Sequence, residues 1–321
     1  MGAVVNKRSA AKANVQWMQN LINGGKIPTV PVGKLYIDEP IRFPAKNPCG
    51  RIRTSGGAGY PMDYHGQISG PISEIVQITP GQPCFIVGGA GLYSEEPLYL
   101  THEQAAAESE PASAIEIEGR DPPATGRHRF GNMLVRRWES LGKALNGFYE
   151  KVGSDWVFQE DENHADNTVW HDCETFQCNR LFWSKNQQAV NHVFRDCRVN
   201  GLGPEIDFVA FDIERGGCVK FPGLIVEQSQ FTLIRVTDYS PNNCDFEGSV
   251  FFDRFLNPDT NLCVFEYAGN PAYANFSKWI LDIRIFSALQ LNPIENHVLY
   301  RVPVDMPRDY WNVEIRHIPQ N

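Results

Sequence analysis

Four side chains with the means for acid–base work recur at similar positions in this chain: His171, Arg195, Glu227 and Glu247. Each stands just before the expected bend residue of a repeated octet. "VWHDCETF" (169–176) returns as "VFRDCRVN" (193–200), which puts Asp172 and Asp196 24 residues apart (196 − 172 = 24). Two carboxylates flanking a glycosidic bond suffice for hydrolysis, at about 5–5.5 Å for retention and wider for inversion. Glu227 and Glu247 fall on consecutive copies of the octet, and neighbouring strands lie about 4.8 Å apart, so the pattern predicts a carboxylate pair. His171 on the same row would serve as a general base and Arg195 would hold an anionic sugar. A second row after the bend, Glu174, Arg198 and Gln230, is expected to bind substrate. Trp183 would join it, because an aromatic face stacks on a sugar ring. Asp207 and Asp212, in "GPEIDFVAFDIERGG" with Glu205 and Glu214, form a separate acidic group. Their oxygens would suit Ca²⁺ or supply another acid pair; the reading requires no cofactor. The plainer account of both rows is a solvated surface with cross-strand pairs such as Glu174 with Arg198.

The octet reads as strand, bend, strand. Alternation then places Thr168, Trp170, Cys173 and Thr175 inside in the first copy, and His192, Phe194, Cys197 and Val199 in the second. Asp172 and Asp196 sit at the bends, which Asp tolerates. The same grammar fits "LIVEQSQF" with Gln228 at the bend, "CDFEGSVF" with Gly248, "WILDIRIF" with Asp282 and "YWNVEIRH" with Asn312. Upstream it fits "FGNMLVRR" with Asn132. Unequal steps with a fixed short unit describe a solenoid whose strands stack and whose loops vary. Val, Ile, Phe and Thr dominate these segments, and 22 prolines and 27 glycines punctuate the chain. The fold expected is all-β: a right-handed, single-stranded parallel β-helix. Residues 9–25 are the one amphipathic helix, with Val15, Met18, Leu21 and Ile22 on its apolar face and Gly24-Gly25 ending it. An open solenoid end needs a cover, so residues 1–25 read as a cap and 26–321 as the solenoid. The acidic, Ala/Pro-rich residues 95–129 read as an excursion from it.

Bulk properties exclude several classes. The net charge is −9 and long basic tracts are absent, which argues against nucleic-acid partners. No apolar run reaches the length of a membrane span, so no insertion is expected. The start lacks the apolar core of a secretion signal. Eight cysteines occur without a CxxC pair, which reads as buried free thiols rather than a zinc site. "GGAG" at 56–59 and 88–91 opens no βαβ unit, so nucleotide binding is not expected.

"GGKIPTVPVGKLYIDEPIRFP" (24–44), preceded by the helix and followed by a Gly-rich turn, resembles the opening of the pectate-lyase-like β-helix family, which includes phage tailspike domains. The resemblance covers residues 9–60 and implies the fold more than the reaction. It implies a polysaccharide partner, a lyase or glycoside hydrolase activity if there is one, and a homotrimer. A virion or extracellular setting follows from it, while a cytoplasmic one stays open. The NTD, DD, GHG and RIK motifs of polygalacturonases and the RxPxxR motif of pectate lyases are missing, so no catalytic residue transfers. A non-catalytic structural or receptor-binding β-helix is the alternative, and a sugar epimerase a third.

Overall fold

The computed structural model describes residues 2–44, 50–56, 71–88, 91–103, 113–117, 128–136, 146–150, 168–176, 178, 180–185, 190–201, 209–214, 217–228, 231–237, 246–253, 262–269, 279–286, 300–301 and 313–317. Among the described residues the fold is all-β apart from one α-helix and a short 3₁₀ turn, and every strand pairing there is parallel. The strands form two sheets, of fourteen and nine strands. In the smaller sheet they stack strictly in chain order, from Ile41–Phe43 through Arg180–Ser184 to Tyr300–Arg301. The strands between them in sequence belong to the larger sheet.

Aromatic side chains from both sheets fill the interior. Trp170, Phe194 and Phe221 come from the larger sheet, Phe182 and Phe211 from the smaller, and all five are buried. Trp170 and Phe194 stack at 5.5 Å between centroids, and Phe211 stacks on Phe221 at 5.4 Å. Phe194 meets Phe182 and Phe211 edge-on at 5.1 and 4.9 Å. Trp170 and Phe194 hold paired positions on neighbouring strands, while the other three contacts join one sheet to the other, and edge or stacked geometries add to the gain from burial.

The 24-residue repeat is a true structural register. Val169, Trp170 and His171 pair with Val193, Phe194 and Arg195, and after the bend Glu174, Thr175 and Phe176 pair with Arg198, Val199 and Asn200. All eight side chains assigned to the inside are buried. Asp172 and Asp196 adopt left-handed backbone, with φ of 50° and 54°. Gly131 pairs with His171 and Leu134 with Glu174, which aligns Asn132 with Asp172 as expected.

Downstream the bends differ from the sequence reading. Arg198 pairs with Ile225, and the Asp196 amide bonds to the Pro222 carbonyl at 3.2 Å, so the third bend is Gly223 rather than Gln228. Gly223 has φ of 79°, the region glycine enters without strain. A bulge between Phe221 and Leu224 then sets Pro222 and Gly223 against the single Ser249, not Gly248. Ser249 pairs with Asp282, as the sequence grammar places it, and Asp282 with Arg316 instead of the neighbourhood of Asn312.

The helix spans Ala11–Asn23 and buries Ala11, Asn14, Met18 and Ile22. It packs on Gly33–Ile37 and Ile41–Phe43, early strands of the two sheets. Val15 and Leu21 sit at the margin of this face, and Asn14 holds its centre. The Asn14 amide accepts from Val4 N–H at 2.9 Å and donates to the carbonyls of Val4 and Tyr36, so a buried polar side chain ties the N-terminal segment to the sheet. The helix ends at Gly24 and Gly25 (φ 68°), where the Lys26 amide reaches the Leu21 carbonyl. Residues 95–102 complete the strand Gly91–His102 and 113–117 form a strand of the smaller sheet, so the acidic segment 95–129 is partly built into the fold.

Candidate functional site

Two polar groups stand out on the surface. The first is at the bends of the larger sheet. The imidazole of His171 has Nδ1 3.0 Å from Asp172 Oδ2 and Nε2 3.7 Å from Asp196 Oδ2. One ligand-type atom from each of the three lies within 4.8 Å of the others. All three are well exposed. The left-handed bend carries each aspartate outward, and the parallel register delivers Asp196 beside His171. Gly223 on the next strand leaves room for the Asp196 carboxylate: a Cβ there would come within 2.9 Å of its Oδ1.

The second group lies on the smaller sheet. Trp183, Asp212, Arg235, Glu266 and Arg301 occupy one row of paired positions on successive strands. Trp183 is partly exposed, and its indole N–H donates to Glu214 Oε1 at 2.7 Å. The guanidinium of Arg180 lies 4.6 Å from the centroid of its ring and the ammonium of Lys185 4.2 Å. Arg180 Nε donates to Asp212 Oδ2 at 2.6 Å, and Lys185 lies 3.6 Å from Glu214. Further along, Arg235 pairs with Glu266 at 2.8 Å, and Arg301 reaches the same carboxylate at 3.9 Å. Charges on this row neutralise one another across strands.

The strand register does not set Glu227 beside Glu247. Glu247 pairs with Lys220, while Glu227 pairs with Asn200, seven positions further along the strand that holds Lys220. Seven residues of strand separate the two by more than roughly 10 Å, well beyond a retaining pair. The shift follows from the bend at Gly223, which moves the whole third copy. His171 and Arg195 are neighbours in register as expected, but the next position is Pro222, so the row stops there. Glu174, expected to face substrate, is buried at 3% exposure, and Arg198 is its partner in register. Alternation gave the direction of Glu174 from the sheet, not whether that face is covered. The same row is buried at Glu74 and Tyr99. Asp212 is held by Arg180 and nearly buried, which makes it an ion-pair partner rather than an open metal ligand. Gln230 and Asp207 lie outside the described residues.

Sequence reading missed Arg180, Lys185 and Glu214 as partners of Trp183. It also treated Asp172 and Asp196 as bend formers alone. The signal present was "AFDIE", where Asp212 and Glu214 alternate with apolar residues, and the charged ends of "RLFWSK"; both belong to the smaller sheet, while the octet describes the larger.

No protein-family model matches the chain, and no curated protein or solved structure is significantly similar to it. The fold and site together define an all-β protein of stacked parallel strands. Its described surface carries a tryptophan set among paired charges and a His–Asp–Asp group at adjacent bends. Among the described residues no helix is long and apolar enough to cross a membrane.

Proposed function

We propose that this chain is a right-handed parallel β-helix of the pectate-lyase-like type that binds a polysaccharide along its flank without cleaving it. Strands that alternate between two all-parallel sheets in chain order support the solenoid, and parallel crossovers are right-handed in nearly all proteins. The observation that carries binding is Trp183: a partly exposed indole fixed by Glu214, with two cations against its ring. Lys185 is a flexible cover whose contact with the ring is worth about 0.5–1 kcal/mol at an exposed site, so a sugar ring can take its place. Arg180, anchored by Asp212, remains to meet sugar hydroxyls or carboxylates. The internal pairing of the charged row and the separation of Glu227 from Glu247 favour binding over cleavage. A virion or extracellular setting and a homotrimer belong to the same reading, through the resemblance of residues 9–60.

Cleavage is the second reading, and the His171–Asp172–Asp196 group favours it. Its carboxylates approach within the spacing of a retaining pair, with an imidazole between them.

One experiment separates the two. A panel of acidic and neutral polysaccharides is titrated while tryptophan fluorescence, reducing ends and unsaturated uronate absorbance are followed. Saturable quenching without new ends, weakened at least tenfold in Trp183→Ala, supports binding. New ends that vanish in Asp172→Asn and Asp196→Asn support cleavage. Binding that survives Trp183→Ala unchanged would refute the Trp183 site.

A further inference from the structure

The repeated Asp-Cys places two thiols as well as two carboxylates. Cys173 and Cys197 follow the two bends at equivalent positions, both buried and both in the free thiol state. The segments are locked together on either side of them: the Asp172 amide bonds to the Arg195 carbonyl and the Arg198 amide to the Cys173 carbonyl at 2.9 Å. Each S–H points back to the carbonyl two residues earlier, His171 and Arg195 respectively, at 3.5 Å. The register on either side of the bends, His171 with Arg195 and Glu174 with Arg198, sets Cys173 directly opposite Cys197. Residues facing each other on paired strands have Cα atoms about 4.8 Å apart, inside the roughly 4.4–6.8 Å window of a disulfide.

We propose that Cys173 and Cys197 are a redox modification site that closes, on exposure to a small-molecule disulfide, into a cross-link between adjacent strands. The first thiol loses its proton and attacks the reagent, which forms a mixed disulfide and releases one reagent thiol. The second attacks the protein sulfur of that bond, which forms Cys173–Cys197 and releases a second reagent thiol. Two protein thiols are oxidised and one reagent disulfide is reduced, with the protons carried away on the departing thiols. Only two weak S–H contacts are lost. Burial and the neighbouring thiol hold the Cys197 thiol well above its ordinary range, so the reaction is slow and proceeds when the strands open locally. Side chains on facing strands leave Cβ atoms further apart than the roughly 3.8 Å a relaxed disulfide prefers. The bond is therefore strained and returns readily to thiols.

The test treats the full chain with 2-hydroxyethyl disulfide, natively and in sub-denaturing urea. Remaining thiols are then alkylated after unfolding, and the peptides are mapped by mass spectrometry. The expected result is a fall from eight alkylatable thiols to six, with a linked peptide pair containing Cys173 and Cys197, reversed by mild reductant. Cys197→Ser should keep Cys173 unlinked; the wild-type map stands whether or not that variant folds. Eight thiols persisting in both conditions, or a link that joins other cysteines, overturns the proposal.

Discussion

Lowering the pH from 7.5 to 4.5 should destabilise this fold through one buried imidazole. His102 ends the strand Gly91–His102, pairs in register with Gln77, and is 3% exposed. Neither ring nitrogen makes a well-formed hydrogen bond. Burial pushes its pKa down from 6.5 to about 4, and a contact with the Ser113 main chain offsets only part of that. The unfolded chain takes up the proton near pH 6.5 while the folded chain refuses it until about pH 4. The associated stability is present above pH 6.5 and is lost as pH falls through that interval. At about 1.4 kcal/mol per tenfold, the loss by pH 4.5 is about 2.5 kcal/mol. Urea midpoints of the wild type and His102→Leu at both pH values isolate this contribution, because other carboxylates and histidines titrate alike in the two proteins. The variant should lose about 2.5 kcal/mol less than the wild type between pH 7.5 and 4.5. Equal losses in both proteins would refute the reasoning.

Two further outcomes are expected. Gly223→Ala should destabilise by about 1–2 kcal/mol, since alanine at φ 79° is strained and its Cβ would crowd Asp196; Asp172→Gly at the equivalent bend should change the urea midpoint by less than half as much. Arg180→Ala should cost about 3 kcal/mol by chemical denaturation, because it strands the buried Asp212 carboxylate, and adding Asp212→Asn should recover a large part of that.

Much of the fold was legible in the octet. Trp170 with Phe194 and Cys173 with Cys197 were placed inside by alternation, and the structure buries all four. Asp172 and Asp196 were placed at bends because their side chains suit left-handed backbone. The third copy failed for a physical reason: "FPGL" makes its bend with Pro222 and Gly223, and a bulge there accommodates an extra residue. A pattern built on apolar pairs slid five residues, from Gly223 to Gln228. That slip carried Glu227 into a row it does not occupy. Glu174 was misjudged because the period of a strand reports which side a residue faces, while covering that side depends on chain elsewhere. Glu214, which fixes the Trp183 indole, was illegible for a related reason: it lies 31 residues on, beside the next strand of the smaller sheet, which the octet does not describe.

The row Asp212, Arg235, Glu266, Arg301 alternates in sign from strand to strand. That alternation imposes a parity on the molecule's growth. Removing the repeat unit that carries Glu266 would set Arg235 against Arg301, and removing the one that carries Arg235 would set Asp212 against Glu266. Like charges directly opposed on neighbouring strands are destabilising. Taking out or adding two units together keeps the order of signs. Along this stretch the protein can lengthen or shorten without electrostatic penalty only in even steps.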